Sequence, residues 1–255
     1  MMRIGGIVDI STKDIPGKVC MVIFTTGCNL RCEFCYNKHL LLSESGRDVG
    51  EKKLINQIKN NSLINAISIT GGEPTLNPKL LTFCKKLSEL DKYISLDTNG
   101  TNPTFITQIF PYINRIALDL KAPLNKEKYE QICNTGIDIE KLLRTFRIIN
   151  NNSSIDFEIR TTYVKGLLNP EDIHNIIKFL REENFRGTYV IQQYQYSEGV
   201  GDEYKNKFQE TTHSDIYQLL KPYEKISLPF EIYVRDDIVG YSSLENIIKM
   251  ANEEL

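Results

Sequence analysis

Short runs of β-branched and aromatic residues alternate along the chain with longer segments in which apolar residues recur every three or four positions. The short runs have the length of buried strands, and the longer segments have the spacing of amphipathic helices. The segment NPEDIHNIIKFLREE is typical of the second kind, because it opens on an Asn-Pro helix entry and repeats isoleucine and leucine at helical spacing. The pattern predicts six strands, at residues 19–26, 66–71, 93–99, 115–121, 156–164 and 188–194.

Strand followed by helix, repeated about six times, predicts an α/β fold whose parallel strands are joined by right-handed crossovers. Six units are fewer than the eight of a closed TIM barrel, so a doubly wound sheet and a partial barrel both fit. No Pro-rich, Ser-rich or charged linker interrupts the chain. We therefore expect a single domain over residues 1–255, with a core at about 17–195 and a C-terminal extension at about 196–255.

Polar residues gather where the predicted strands end. A cysteine-rich segment follows the first strand, TGGEP follows the second, and DTNG and DLK close the third and fourth. RTTY lies in the fifth strand, and QQY closes the sixth. Because the carboxyl ends of parallel strands meet at one edge of a sheet, these polar groups predict a shared pocket at that edge.

The composition excludes few classes of function. Of the 255 residues, 41% are hydrophobic and 25% are charged, and 31 basic against 33 acidic residues give a net charge of −2. This balance requires neither a nucleic acid nor a membrane as partner, although a local basic surface would still admit RNA. No signal peptide and no apolar run of roughly 20 residues is visible, so we expect a cytoplasmic protein.

Three cysteines, Cys28, Cys32 and Cys35, lie within the segment TTGCNLRCEFCYN. Cytoplasmic thiols stay reduced, so clustered cysteines there indicate a metal site or catalysis more often than disulfides. Structural zinc usually takes four ligands, and His39 could complete such a set, whereas three close thiolates suit an iron–sulfur cluster with one open iron. The remaining cysteines are isolated in the sequence, and we expect them to be buried and inert: Cys20, Cys84 and Cys133.

The spacing C-x3-C-x2-C, with Phe34 before the last cysteine, resembles the signature of the radical S-adenosylmethionine (SAM) superfamily. GGEP, one unit later, resembles the second hallmark of that superfamily. The segments STKDIPGKVC, LDTNG and LDLK resemble glycyl-radical-enzyme activases, with one departure at Tyr36, where activases commonly have histidine. Over nearly the full chain, the sequence most resembles the family of anaerobic ribonucleoside-triphosphate reductase activating proteins.

The resemblance implies a partial (β/α)6 barrel and one 4Fe–4S cluster held by Cys28, Cys32 and Cys35. SAM would bind the open iron, and reduction of the cluster would split SAM into methionine and a 5′-deoxyadenosyl radical. That radical would abstract a hydrogen atom from the substrate under anaerobic conditions. Because the cofactors supply this chemistry and the protein orients them, we assign no catalytic residue beyond the cluster ligands.

The resemblance also implies a set of residues around SAM. Glu73 would accept hydrogen bonds from the SAM ammonium, and Lys121 would pair with the SAM carboxylate. Asp97 and Asp119 would be costly to bury, and Lys121 cannot neutralise both, so we expect a ligand ammonium or a monovalent cation there, or else two Asp-capped turns. Tyr194 is an alternative to Gln193 at the end of the sixth strand. The predicted SAM site is Phe34, Tyr36, Gly71, Gly72, Glu73, Asp97, Thr98, Asp119, Lys121, Arg160 and Gln193.

The resemblance implies a glycyl-radical enzyme as protein substrate and a flavodoxin or ferredoxin as electron donor. A radical SAM enzyme that modifies tRNA, or a small-molecule or nucleobase substrate, is the alternative, and a structural zinc or cluster protein is a third. No second cysteine-rich motif follows the predicted barrel, which argues against an auxiliary cluster. The polar segment SEGVGDEYKNKF, at residues 197–208, has the composition of a lid, of a partner-docking loop or of a solvated loop.

Overall fold

The structure, a computed structural model, describes residues 1–200 and 206–253. These residues divide into two compact units. Unit 1 consists of Met1–Arg31, Asn37–Leu118 and Glu140–Asp156, and unit 2 consists of Cys32–Tyr36, Asp119–Ile139 and the described part of Phe157–Leu255. Residues 201–205 of the expected lid or docking loop, and residues 254–255 of the expected extension, lie outside the described residues.

Strands and helices alternate through most of the described chain. The strands are β1 (Met2–Ser11), β2 (Cys20–Thr25), β3 (Arg47–Val49), β4 (Ala66–Gly71), β5 (Tyr93–Thr98), β6 (Arg115–Asp119), β7 (Asp156–Tyr163), β8 (Thr188–Gln193), β9 (Glu231–Asp236) and β10 (Gly240–Ser243). The helices are α1 (Glu51–Asn60), α2 (Leu80–Leu87), α3 (Pro103–Ile109), α4 (Lys126–Cys133), α5 (Ile139–Asn150), α6 (Pro170–Glu182), α7 (His213–Leu220) and α8 (Leu244–Glu253). None of these helices, within the described ranges, is both long and apolar enough to span a bilayer.

In unit 1 the strands run in the order β3, β1, β2, β4, β5, β6. β1 is antiparallel to β2 and β3, whereas β2, β4, β5 and β6 are parallel neighbours. Ile67, Ile69 and Leu96 on these strands are fully buried, as are Phe83 on α2 and Phe146 on α5. Burial of these apolar side chains stabilises the parallel strands and so places their carboxyl ends side by side.

In unit 2, β7, β8 and β9 are parallel neighbours, and β10 pairs antiparallel with β9. Helix α6 begins with a capping box, in which Asn169 and Asp172 each accept a hydrogen bond from the other's backbone amide. Helix α7 begins with the same motif, built from Thr212 and Asp215. These caps satisfy backbone donors that a helix start leaves without partners, and they begin the helices that follow β7 and β8.

The six predicted strands are all present as β2, β4, β5, β6, β7 and β8, with bounds within two residues of the prediction. The predicted α/β fold with parallel strands is therefore confirmed, and neither unit closes its described strands into a complete barrel. The sequence prediction missed β1, β3, β9 and β10. The pair Gly5-Gly6 interrupts the strand pattern of β1, because glycine is unfavourable inside strands, and β3 has only three residues.

Candidate functional site

Unit 1 holds a buried carboxylate directly after β4. Glu73 is only 1% exposed. Its Oε1 accepts hydrogen bonds from the Thr75 hydroxyl at 2.5 Å, the Thr98 hydroxyl at 2.7 Å and the Thr75 amide at 3.1 Å, and its Oε2 accepts one from the Asn99 amide at 2.7 Å. Burial raises the pKa of the Glu73 carboxyl, and these hydrogen bonds offset part of the rise because they favour the charged form. The described residues thus hold this carboxylate with neutral donors.

Gly71 and Gly72 lie where β4 passes the end of β2. A Cβ on Gly72 would lie 2.2 Å from the Gly27 carbonyl oxygen, and a Cβ on Gly71, whose φ is +119°, would lie 2.3 Å from the Thr25 carbonyl oxygen. The Gly72 amide donates to that Thr25 oxygen at 3.0 Å, and the Glu73 amide donates to the Gly27 oxygen at 2.7 Å. The chain's own backbone therefore requires both glycines, whether or not a ligand also approaches them.

Cys28, the first of the three clustered cysteines, lies in the loop after β2 in unit 1. Its backbone amide donates to the Leu41 carbonyl oxygen at 3.1 Å. Its Sγ faces two N–H donors, the Leu30 amide at 3.4 Å and the Asn99 side-chain amide at 4.0 Å. N–H donors directed at a sulfur stabilise its thiolate, which is the form that binds metals. The surroundings of Cys28 therefore suit a metal-bound sulfur.

Cys32 and Cys35 belong to unit 2, where the Cys35 amide donates to the Cys32 carbonyl oxygen at 3.2 Å. A hydrogen bond with the Cys133 thiol, together with burial, raises the pKa of Cys32 well above its ordinary value. The prediction that Cys20, Cys84 and Cys133 are buried is confirmed. Burial raises the pKa of Cys20 to about 11 and that of Cys84 to about 12, as befits inert thiols, whereas Cys133 contacts a predicted cluster ligand.

The two charged residues predicted after β6 form an ion pair in unit 2. Lys121 Nζ donates to Asp119 Oδ2 at 2.9 Å. The Lys121 amide donates to the Tyr129 hydroxyl at 3.1 Å, and that hydroxyl donates to the Asp119 carbonyl oxygen at 3.3 Å. Burial alone would lower the pKa of Lys121, but Asp119 and the thiols of Cys32 and Cys133 raise it well above its ordinary value. Unit 2 thus places a cation beside Cys32.

Asp97, predicted to line the SAM site, lies beside a cation of unit 1. Arg115 Nη1 is 4.0 Å from Asp97 Oδ1 and donates to Ser95 Oγ at 2.6 Å. Side chains alternate between the faces of a strand, so Thr98 reaches Glu73 while its neighbour Asp97 points the other way. Asp97 therefore has a protein cation nearby, and the monovalent cation stays a prediction without support from the described residues.

The predicted aromatic residues belong to unit 2. The Tyr36 ring stacks on the Tyr194 ring with centroids 5.8 Å apart, and the Tyr194 ring meets Phe208 edge-on at 5.5 Å. The Tyr36 hydroxyl accepts a hydrogen bond from the Gln195 amide at 3.0 Å, and burial raises the pKa of Tyr36 to about 12. Phe34 is buried as well. Tyr36 thus connects the cysteine-rich segment to the residues that follow β8.

The two predicted residues on β7 and β8 have protein partners in unit 2. Gln193 Nε2 donates to the Thr211 carbonyl oxygen at 2.7 Å, and Gln193 Oε1 accepts from the Asp237 amide at 3.0 Å. Arg160 on β7 is buried and forms an ion pair with Glu158. Both side chains thus have partners within unit 2, and the contact of Arg160 and Gln193 with SAM stays a prediction.

Among the described residues, no three His, Cys, Asp or Glu side chains converge as ligands of a single metal ion. A 4Fe–4S cluster has a different requirement, since each cysteine binds its own iron. The six cysteines are free of disulfides, and N–H donors face Cys28 Sγ. The donor set therefore fits an iron–sulfur cluster.

Several residues around the candidate site are not predicted from the sequence. Thr75 follows the TGGEP motif and Asn99 lies within LDTNG, so the motifs indicate their positions but not their hydrogen bonds. No sequence pattern relates Cys133 or Tyr129 to the cysteine-rich segment. The residues missed are Asn29, Thr75, Asn99, Thr101, Arg115, Tyr129 and Cys133.

The family model of the radical SAM superfamily matches residues 22–180, from β2 into α6. The chain therefore belongs to the radical SAM superfamily, which implies a 4Fe–4S cluster and SAM. The "Putative glycyl-radical enzyme activating enzyme" of Methanocaldococcus jannaschii is 33% identical over 207 residues, which are 79% of this chain and 84% of that protein. The "Probable GTP 3′,8-cyclase" of Saccharolobus islandicus is 26% identical over 223 residues, 83% of this chain and 66% of that protein.

A solved structure supports the fold independently. SuiB of Streptococcus suis, in its complex with S-adenosylmethionine, superposes with a TM-score of 0.67 at 18% sequence identity. The match covers 85% of this chain and 50% of SuiB, so the chain spans half the length of that protein. At this identity the likeness shows a shared fold, that of a SAM-binding protein, and leaves the substrate open.

Proposed function

We propose that this radical SAM enzyme activates a glycyl-radical enzyme by removing a hydrogen atom from the Cα of a glycine in that partner protein. The observation that carries the proposal is the 33% identity to a relative named as a glycyl-radical enzyme activating enzyme. Because the match extends over 79% of this chain and 84% of the relative, it supports a common reaction as well as common cofactors. The overall resemblance of the sequence to anaerobic ribonucleoside-triphosphate reductase activating proteins makes an anaerobic ribonucleotide reductase the partner we propose.

Cys28, Cys32 and Cys35 are the residues that we propose to hold the 4Fe–4S cluster. These thiolates would hold the cluster, which would supply, once reduced, the electron for the cleavage of SAM. The N–H donors around Cys28 Sγ favour its thiolate, and the Lys121 ammonium lies beside Cys32 in unit 2. A flavodoxin or a ferredoxin is the proposed electron donor.

Glu73 is the proposed acceptor for the SAM ammonium. Its Oε1 already accepts three hydrogen bonds, whereas Oε2 accepts one and a carboxylate oxygen can accept two. The surrounding donors fix the carboxylate before the ligand arrives, so binding requires little reorganisation. Lys121 is the proposed partner of the SAM carboxylate, because Asp119 uses one of its three N–H donors.

The other SAM contacts are proposed from the resemblance, and the proposal needs no monovalent cation. They are Phe34, Tyr36, Gly71, Gly72, Asp97, Thr98, Arg160 and Gln193. Thr98 also has a role in unit 1 itself, because its hydroxyl donates to Glu73 Oε1. Tyr36 has one in unit 2, where its ring stacks on Tyr194.

The test is electron paramagnetic resonance on the full chain after anaerobic reconstitution with iron and sulfide. Dithionite, SAM and the anaerobic ribonucleotide reductase of the same organism are then added. We expect the doublet of a glycyl radical together with 5′-deoxyadenosine in the supernatant. Variants Cys28→Ala, Cys32→Ala and Cys35→Ala should abolish both signals, whereas Cys84→Ala, which removes a buried thiol outside the cysteine-rich segment, should retain them.

Two results would contradict parts of the proposal. Formation of 5′-deoxyadenosine without a glycyl radical would leave the radical SAM reaction standing and reject this partner. Absence of both products from a protein that contains iron and sulfide would reject the activase reaction and SAM cleavage together.

A second candidate function is chemistry on a nucleotide or another small molecule, and the similarity to the "Probable GTP 3′,8-cyclase" favours it. The identity is lower, at 26%, and the match covers 66% of that relative, so we rank this function below the activase. Incubation with GTP, SAM and dithionite separates the two candidates. Consumption of GTP in step with 5′-deoxyadenosine formation would favour the second function.

A further inference from the structure

Three side chains of unit 1 close a ring of hydrogen bonds beside Cys28. The Asn99 side-chain amide donates to Asn29 Oδ1 at 2.9 Å, Asn29 Nδ2 donates to Thr101 Oγ1 at 2.9 Å, and the Thr101 hydroxyl donates to Asn99 Oδ1 at 2.7 Å. Each side chain donates once and accepts once within this Asn29–Asn99–Thr101 ring, so the three assignments are mutually consistent. No member of the ring is among the predicted cluster or SAM residues.

The backbone determines which end of the Asn99 amide faces Cys28. The Thr101 backbone amide, which can only donate, points at Asn99 Oδ1 at 3.1 Å. The other end of the side chain is therefore the amino group. One of its hydrogens serves Asn29, and Cys28 Sγ lies 4.0 Å from the nitrogen, within reach of the second hydrogen. Asn99 is 5% exposed, so water competes little for these bonds.

The turn that carries Asn99 is held by the buried carboxylate. The Asn99 backbone amide donates to Glu73 Oε2 at 2.7 Å, and the Thr98 hydroxyl donates to Glu73 Oε1 at 2.7 Å. The Gly100 amide donates to Thr98 Oγ1 at 3.1 Å. Glu73, the carboxylate proposed for SAM, therefore holds the turn at the end of β5. The same turn carries Asn99, whose side chain faces Cys28.

We propose that Asn99 is a positioning residue that donates a hydrogen bond to the Cys28 thiolate of the cluster and thereby raises the reduction potential of the cluster. The inference rests on the proposed function to the extent that it requires the cluster. Reduction adds one electron, and thus one negative charge, from an external reductant. N–H donors at the sulfurs stabilise the added charge, because hydrogen bonds to cluster sulfurs are among the factors that set the potential.

The test compares midpoint potentials of the reconstituted full chain, titrated with dithionite and followed by electron paramagnetic resonance without SAM or partner. Asn99→Leu keeps the branching of the side chain at Cγ, adds some volume and removes the amide. We expect the equilibrium constant for one-electron reduction to fall by up to about tenfold, which corresponds to 59 mV. Asn99→Asp keeps the shape but turns a carboxylate oxygen toward the sulfur, so it should lower the potential further.

Two further variants separate this role from a structural one. Asn102→Ala removes the cap of α3, since Asn102 accepts from the Phe105 amide and donates to the Thr75 carbonyl oxygen. It should lower the unfolding temperature and leave the potential unchanged. Thr101→Val breaks the ring but leaves the Asn99 amide, so it should lower the potential less than Asn99→Leu does.

The outcomes distinguish this inference from the proposed function. An unchanged potential in Asn99→Leu, with iron and sulfide retained, would overturn the inference and leave the proposed function standing. A wild-type chain that holds no iron and sulfide would overturn both. If Asn99→Leu fails to fold or to hold the cluster, unchanged potentials in Asn99→Asp and Thr101→Val would overturn the inference.

Discussion

The two units hold their predicted acidic residues in different ways. In unit 1, Glu73 is buried and is bound by the hydroxyls of Thr75 and Thr98 and by two backbone amides. In unit 2, Asp119 has a side chain that is 36% exposed, and its partner is the ammonium of Lys121. One carboxylate is thus held by neutral donors away from water, and the other by a charge within reach of water.

This difference separates the energetic roles of the two groups. Neutral donors around a buried carboxylate are left without a partner when the carboxylate is removed, and each such loss is costly. An ion pair that is partly exposed to water is screened by salt and stabilises a protein by about 1 kcal/mol or less. We therefore expect Glu73 to be essential to the structure of unit 1 and the Asp119–Lys121 pair to be dispensable for folding.

The largest effect should come from Glu73→Ala. The substitution leaves the two Thr75 donors, the Thr98 hydroxyl and the Asn99 amide without their buried acceptor. We expect the free energy of unfolding to fall by about 3 kcal/mol, measured by urea denaturation at pH 7. SAM binding, followed by calorimetry on the reconstituted chain, should weaken as well.

Glu73→Gln is the matched control for this prediction. It keeps the volume and one acceptor oxygen, but its amino group must face donors, so its loss of stability should be smaller than that of Glu73→Ala. A Glu73→Ala chain as stable as wild type would show that the four hydrogen bonds contribute nothing net.

The next largest effect should come from a substitution in the backbone segment just before Glu73, at Gly72. In Gly72→Ala the new Cβ would lie 2.2 Å from the Gly27 carbonyl oxygen, so one of the two segments must move. We expect a loss of about 2 kcal/mol in urea denaturation, as for other overpacked sites. Gly136→Ala, where the nearest atom is the Glu130 Oε1 at 3.8 Å, is the control and should change stability little. Equal losses in the two variants would rule out the steric explanation.

The third prediction concerns the ion pair of unit 2. Asp119→Asn removes the charge that faces Lys121 and keeps the shape of the side chain. We expect a loss of about 1 kcal/mol or less in the free energy of unfolding, and the loss should shrink in 1 M salt. The loss in Glu73→Ala should change little with salt, because no cation takes part. A salt-insensitive loss in Asp119→Asn would remove the distinction between the two units.

The sequence predicts the strands and the two charged residues that are compared here, Glu73 and Lys121, but not the contacts that these residues make. Short apolar runs predict six of the strands, because the length and composition of such a run reflect local geometry alone. These strands are β2, β4, β5, β6, β7 and β8. Glu73 and Lys121 follow from motifs that resemble a family. The partners of these two residues depend on which loops meet, and that is a property of the tertiary structure.

Particular residues illustrate this limit. Asp97 and Thr98 are adjacent in the LDTNG motif, yet Thr98 donates to Glu73 whereas Asp97 lies near Arg115, because neighbours on a strand point to opposite faces. Cys133 looks isolated in the sequence, and the fold of unit 2 brings it to Cys32. The strands β9 and β10 lie within the expected C-terminal extension, for which the sequence analysis predicts no strand.

The smallest effects should appear in the dependence of stability on pH. Burial raises the pKa of Glu73 above its ordinary value of 4.5, so its contribution to stability is complete below 4.5 and is lost as the pH rises through the folded-state value. The hydrogen bond from the Thr212 amide and the contact with Lys165 lower the pKa of Asp215 below 3.8. Its contribution is therefore present above 3.8 and is lost as the pH falls through the folded-state value.

Urea denaturation between pH 8 and pH 3 should show these opposite signs as differences from matched variants. The stability of wild type relative to Glu73→Gln should increase as the pH is lowered from 8 toward 4.5, because the buried carboxyl then becomes neutral. The stability of wild type relative to Asp215→Asn should decrease as the pH is lowered toward 3.8 and below. A change of both stability differences in the same direction with pH would contradict this prediction. It would mean that the neutral donors around Glu73 compensate fully for the burial of its charge.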